Sequence, residues 1–165
     1  MTSNTCQALT LFIEQHAIAA ALVQPERETP TVALAALALG CQTDQIVKSV
    51  LFLLKDGQRS DPVLVITNGT AQIDFRKLAD LFQIGRKRIR LAPADVVLAC
   101  TGYPAGGVPP FGFPQPLLTY IDRHVFDQGV VYGGGGDDRT MLRITPAELL
   151  RVTRGQIADV RLMTP

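Results

Sequence analysis

The positions Leu9, Phe12, Ile13, His16, Ala17 and Ala20 form an i, i+3, i+4 ladder, the stripe of an amphipathic helix, and Ala21-Leu22-Val23 continues as a short strand. Thr29 is placed to cap the next helix, with Pro30 in its first turn, where a missing N–H costs nothing. That helix runs from Val32 to Leu39, and Gly40 supplies its left-handed stop. Ile46 to Leu54 is a nearly unbroken apolar run with β-branched and aromatic residues, the signature of a buried strand. Asp56-Gly57 ends it, and Val63–Thr67 returns as a second strand before an Asn68-Gly69 turn.

Asp74 caps a helix over Phe75–Phe82 that Gly85 closes, and Arg86 to Leu91 reads as an exposed strand with a basic face. Pro93-Ala94-Asp95 opens a short helix toward Thr101. From Gly102 to Pro116 the density of glycine and proline excludes a helix and disfavours a strand. Strands resume at Leu117–Ile121, Val130–Tyr132 and Met141–Ile144, and Thr145 with Glu148 forms a capping box ahead of a last helix. Ile157–Val160 is the final strand. This order predicts one α/β (α+β) domain over residues 1–165, built on a mixed, largely antiparallel central sheet flanked by helices.

Composition narrows the function classes. A chain of 165 residues with 47% hydrophobic and 19% charged residues can bury a core without staples. Lys+Arg 16 against Asp+Glu 15 leaves a formal charge of +1, which excludes a globally basic nucleic-acid coat but not a local basic patch. Cys6, Cys41 and Cys100 form no CxxC pair and no disulfide framework, which favours a reducing, cytoplasmic setting. Neither Ala17–Val23 nor Val32–Leu39 reaches the ~18 apolar residues of a membrane span, and the first residues carry no positive charge of a secretory signal.

Common hydrolase machinery is missing. Ser3, Ser49 and Ser60 are the only serines, and none sits in a GxSxG elbow. His16 lies on the apolar stripe of the first helix and reads as a packing residue, while His124 near Asp122 lacks further partners at metal-ligand spacing. Gly133–Gly136 lacks the Lys-Ser/Thr ending of a phosphate loop and reads as a flexible hairpin turn, and Cys100 reads as a small buried hydrophobe. Two features resist a bland account. Lys48 interrupts the strand Ile46–Leu54, so it is either an edge lysine or a residue facing something anionic. The Gly102–Gly112 loop is either a long structural turn or a stiff cradle whose bare N–H groups bind a carbonyl or oxyanion.

Several blocks stand in a recognisable order: Glu28-Thr29-Pro30-Thr31-Val32, Gln45 to Phe52 around Lys48, Thr101 to Gly112, Thr119-Tyr120-Ile121-Asp122, and Ile144 to Leu149. Together they resemble the YbaK-type aminoacyl-tRNA deacylases, relatives of the editing domain inserted in bacterial prolyl-tRNA synthetases. The resemblance covers roughly residues 28–160.

It implies hydrolysis of the ester that joins a wrong amino acid to tRNA, without a metal or organic cofactor. The family's invariant lysine falls on Lys48 and its GxxxP loop on Gly106 to Pro110. Lys48 is then expected to pair with the terminal nucleotide, and N–H groups near Gly106 and Gly107 to polarise the ester carbonyl. Thr101, Gly102, Pro110 and Asp122 are expected around the substrate.

Cysteinyl-tRNA deacylases of the family carry a tyrosine where this chain has Leu22 and an aspartate where it has Met141, so the resemblance points to a small apolar amino acid such as alanine, on tRNA(Pro). Arg86, Lys87, Arg88 and Arg90 form the patch expected either to meet the acceptor stem or to be simply solvated. The expected partners are mischarged tRNA and a synthetase such as prolyl-tRNA synthetase, with the protein a monomer or homodimer and no membrane involved. Two other readings stay open: a non-catalytic tRNA-, nucleotide- or protein-binding module on the same fold, and a hydrolase of small acyl esters other than tRNA.

Overall fold

A computed structural model describes residues 3–163. Its frame is a hairpin of two ten-residue strands, β2 (Val47–Asp56) and β3 (Arg59–Asn68), in register from Val47 opposite Asn68 to Asp56 opposite Arg59. The other strands are β1 (Ala20–Val23), β4 (Ile89–Leu91), β5 (Leu118–Asp122), β6 (Val131–Gly134), β7 (Met141–Ile144) and β8 (Gln156–Ala158). β4 joins β2 antiparallel, while β5 and β8 add in parallel beyond β3, giving a mixed sheet in the order β4-β2-β3-β5-β8. A second, antiparallel sheet, β1-β7-β6, meets the first where Ile46 bridges Tyr132. The helices are α1 (Asn4–Gln15), α2 (Val32–Leu39), α3 (Phe75–Phe82), α4 (Ala94–Thr101) and α5 (Pro146–Thr153).

Side-chain alternation along β2 divides the core. Val47 and Leu51 point, with Leu64 and Ile66 of β3, toward the second sheet, α1 and α5. Phe52 points, with Val63 and Val65, to the opposite face, which Leu78 of α3 covers. Lys48 shares the α3 face with Phe52 by the same alternation.

The local readings hold where a helix is bounded by its own caps. Asp74 caps α3 and Gly40 ends α2 at φ 65°. They fail where an ordinary residue takes the left-handed stop. α1 ends at Gln15 because Ala17 adopts φ 49°, and Ile18 N–H donates to the Ile13 carbonyl across it; Ala20 therefore belongs to β1, not to the helix. Gln83, at φ 54°, closes α3 in place of Gly85.

Thr31 rather than Thr29 caps α2, its hydroxyl accepting from Leu34 N–H, so Pro30 lies outside the helix. Arg86–Arg88 form a 3-10 turn rather than strand. The Thr145–Glu148 box is half formed: Thr145 accepts from Glu148 N–H, but the Glu148 carboxylate turns to Ala19 N–H and Arg151. The final strand ends at Ala158 rather than Val160.

Candidate active site

The glycine run is not a loose turn. Gly133 and Gly134 lie in β6, where a Cβ on Gly134 would stand 2.8 Å from the Val108 carbonyl carbon and closer still to its oxygen. A Cβ on Gly135 would meet the Thr140 carbonyl carbon at 2.6 Å. Glycine is required here because two backbones touch. The contact presses Gly106–Val108 against the second sheet, and Gly136 N–H donates to the Gly107 carbonyl (3.0 Å) to hold it there.

Between this loop, α2 and β2 lies a cavity of about 210 Å³. Thr31 and Ala35 of α2, Val47 and Ser49 of β2, Gly106 of the loop and Met141 of β7 line it. β4 covers β2 only from Phe52 to Leu54, so among the described residues no strand pairs with this edge near Ser49. Main-chain direction alternates along β2: the Ile46 carbonyl accepts from Gly69 on the β3 side, and the Leu51 carbonyl from Ala92 on the β4 side. The main-chain groups of Ser49 face outward by the same alternation. The Ser49 hydroxyl is buried and has no hydrogen-bond partner among the described residues. The one sequence signal for Ser49 is a hydroxyl inside an apolar strand.

Gly106, at φ 93°, has a main-chain N–H with no backbone partner among the described residues. The expected donor pair is therefore corrected to one, because Gly107 N–H is already given to the Pro104 carbonyl at 3.0 Å.

Lys48 also borders this cavity. Its side chain is half-buried, and Nζ donates at 3.2 Å to the carbonyl of Ala71, a residue that lines a second cavity of about 360 Å³. Burial, and after it the charge of Arg161, hold the Lys48 ammonium below the usual lysine range. Lys48 is thus no solvated edge lysine; it stands between two cavities.

Among the other expected substrate residues, only Met141 lines the first cavity. Thr101 is fully buried, donating to the Val97 carbonyl and accepting from Tyr103 N–H, so it anchors the start of the loop; with Gly102 it borders a separate surface hollow beside Pro114. Pro110 is buried against Gly133 and opens onto a groove with Phe12 and Phe113. Leu22 pairs with Leu142 and packs into the main core. Asp122 is fully buried and accepts from His124 Nδ1 (3.0 Å) and Val160 N–H (3.1 Å). None of these five positions lines the cavity that holds Gly106 and Met141. His16 is exposed and stacked on Phe12 (4.1 Å) rather than packed inside, and Cys100 is only partly buried.

In the basic patch, Arg88 is tied to Asp56 (2.8 Å) and the Lys55 carbonyl (2.6 Å), and Arg86 lies over the Phe75 ring. Lys87 and Arg90 are exposed.

Comparison with known proteins returns the same fold and a family. The model of the aminoacyl-tRNA editing domain family matches residues 26–152, and the chain belongs to that family. A candidate Cys-tRNA(Pro)/Cys-tRNA(Cys) deacylase, EbsC of Enterococcus faecalis, is 26% identical over 123 residues, 74% of this chain and 72% of that protein. A proline–tRNA ligase of Limosilactobacillus fermentum is 28% identical over 133 residues, and the match spans 22% of that ligase. The crystal structure of a candidate trans-editing enzyme for prolyl tRNA synthetase superposes with a TM-score of 0.89 at 30% identity, covering 99% of this chain and 100% of that one.

Proposed function

We propose that this protein is a trans-editing aminoacyl-tRNA deacylase that hydrolyses the ester between tRNA(Pro) and a small non-cognate amino acid. The observation that carries the reading is the cavity itself, which Gly106, its N–H without a backbone partner among the described residues, lines together with the apolar Ala35, Val47 and Met141. At about 210 Å³ it is smaller than the ~300–1,000 Å³ sites that enclose whole drug-sized ligands, so it suits an aminoacyl end with the nucleotide outside.

In hydrolysis, water attacks the ester carbonyl and negative charge grows on its oxygen. Gly106 N–H donates to that oxygen, a preorganised donor of the kind whose removal typically slows reaction by ~10²–10³. The Ser49 hydroxyl, with no protein partner, is free to hold the attacking water. The free ribose hydroxyl of the substrate helps orient the same water, which removes the need for a protein nucleophile. The Lys48 ammonium pairs with phosphate of the terminal nucleotide and so sets where the ester lies.

Met141 offers a thiol or hydroxyl side chain no charged partner, which favours alanine over cysteine or serine. A single methylene is worth only ~1–3 kcal/mol, so rejection of proline rests on the shape of the wall and on a partner such as prolyl-tRNA synthetase. Lys87 and Arg90, exposed and in no ion pair among the described residues, meet the acceptor stem. Three unpaired cysteines suit work in the reducing cytoplasm.

The test is incubation with tRNAs charged with alanine, cysteine, serine and proline. Release of alanine from Ala-tRNA(Pro), lost in Lys48→Ala, is the expected result. No release from any of them, even with the matching synthetase present, refutes the reading, and faster cleavage of Cys-tRNA(Pro) than of Ala-tRNA(Pro) refutes the stated specificity.

A further inference from the structure

Helix α1 precedes the family-matched residues 26–152, yet it is packed against the loop that carries Gly106. Leu9 of α1 is fully buried, which anchors the helix in the main core. A Cβ on Gly112 of the loop would stand 3.3 Å from Leu9 Cδ1. Nearer Gly106, the contact passes through the β6–β7 connection. A Cβ on Gly107 would stand 3.0 Å from the backbone N, Cα and carbonyl carbon of Asp137. One on Gly136 would stand 3.1 Å from the Thr5 carbonyl oxygen and 3.2 Å from Cys6 N and Cα. Gly136 and Asp137 are therefore clasped between the first turn of α1 and the loop, main chain against main chain on both sides.

Two side chains fasten this stack. The Asp137 carboxylate accepts through Oδ1 from the Arg139 and Thr140 N–H groups (3.0 and 2.8 Å), which closes the β6–β7 connection. Through Oδ2 it accepts from the Ser3 hydroxyl at 2.8 Å, a bond of the stronger kind made to an ionised group. Ser3 is also the N-cap of α1, its oxygen accepting from Cys6 N–H at 3.2 Å. One hydroxyl thus joins the helix cap to a turn 134 positions away along the chain. Beneath it the buried Cys6 thiol donates to Thr140 Oγ1 at 3.8 Å, a second tie between the same two segments. Gly136 N–H carries the link on to the loop by donating to the Gly107 carbonyl at 3.0 Å.

We propose that Ser3 and Asp137 are positioning residues for the ester site: by locking the first turn of α1 to the β6–β7 connection, they hold the Gly106–Val108 loop and fix the direction of the Gly106 N–H. That this N–H serves an ester carbonyl rests on the deacylase reading; that the two side chains hold the loop does not. Neither residue lines the cavity of Gly106 and Met141, so their effect on the chemistry runs through the loop backbone. Loosening the latch leaves Ala35, Val47 and Met141 in place and moves the donor. The rate therefore falls while substrate binding is kept.

The test joins deacylation kinetics to amide exchange on the full chain, at a temperature where every variant is folded. Asp137→Ala should lower kcat on Ala-tRNA(Pro) about 10-fold with KM unchanged, and Ser3→Ala about 3-fold. Asp137→Asn keeps an oxygen for the Arg139 and Thr140 amides and should recover most of the rate. The double variant should be close to Asp137→Ala alone, because both changes break one bond. Hydrogen exchange at the Gly107 and Gly136 amides, read by NMR, should quicken in Asp137→Ala and Ser3→Ala. Thr145→Ala, which removes the corresponding cap from α5, is the control and should lose stability with both readouts unchanged. Should Asp137→Ala fail to fold, Ser3→Ala carries the test, since it leaves the turn intact. Unaltered exchange at Gly107 and Gly136, or a kcat loss that Thr145→Ala reproduces, overturns the proposal. An active parent whose kcat survives Asp137→Ala and Ser3→Ala sinks the positioning role alone. A parent that releases no amino acid, with exchange quickened as expected in the variants, sinks the deacylase reading alone.

Discussion

Replacing Gly134 by alanine tests whether the close backbone crossing sets the geometry of the ester site. The new Cβ would lie 2.8 Å from the Val108 carbonyl carbon, about 0.7 Å inside the ~3.5 Å at which carbon atoms pack best, and 3.1 Å from the Gly107 carbonyl carbon. Both obstacles are main chain, so no side chain can rotate away; either β6 or the Gly106–Val108 loop must move. Overpacking of this kind costs about 1–3 kcal/mol, or roughly 2–12 °C in Tm for a chain of this size. Displacement of Gly106 N–H by that distance should slow the chemical step by about 10- to 100-fold. Single-turnover deacylation of Ala-tRNA(Pro), read beside thermal unfolding, measures both. Gly129→Ala, where the added methyl meets nothing within 4 Å, is the control and should leave both unchanged. A Gly134→Ala protein with wild-type Tm and rate would refute the claim that this contact positions the loop.

Three further outcomes are expected. Lys48→Met should lose deacylation yet raise Tm at pH 7: with its pKa lowered in the fold, the charged lysine is destabilising below its ordinary titration range, and stability should rise as pH climbs through that range only in the parent protein. Ser49→Ala removes a buried hydroxyl that has no partner, so urea unfolding should show no loss of stability, while the rate falls because water is no longer held. Burial pushes the Asp137 carboxyl up, but hydrogen bonds from Ser3, Thr140 and the Arg139 and Thr140 amides outweigh it and hold it below the usual range. Its contribution is therefore present above pH ~4 and is lost as pH falls through the lowered value; Asp137→Asn should flatten that part of an acid-unfolding curve.

What the sequence determined by itself was whatever a few neighbouring residues settle among themselves. α3 and α4 were legible because a cap or an opening proline marks each start, and the bounds of α2 were legible from its apolar run and Gly40 although Thr31, not Thr29, caps it. The β2–β3 pair was legible because apolar runs flank Asp56-Gly57. Lys48 stood out because a charge inside such a run demands a partner. Where a helix stopped on Ala17 or Gln83, the left-handed residue was imposed by the packing that followed, and no local signal marked it.

The tertiary structure alone decided the rest. It showed that Gly134, Gly135 and Gly136 are glycines because other backbone lies where a Cβ would stand. It took Thr101, Gly102, Pro110, Asp122 and Leu22 away from the cavity that holds Gly106 and Met141, and it spent the Gly107 amide on Pro104. The alternation of β2 sent the Lys48 side chain to the α3 face, where its ammonium donates to the Ala71 carbonyl, a partner no spacing rule connects with it. Caps and turns are hydrogen bonds closed within about four residues, so sequence carries them. The direction of a side chain across a sheet, and the distant residue it meets there, depend on strand order and register, which exist only once the chain has folded.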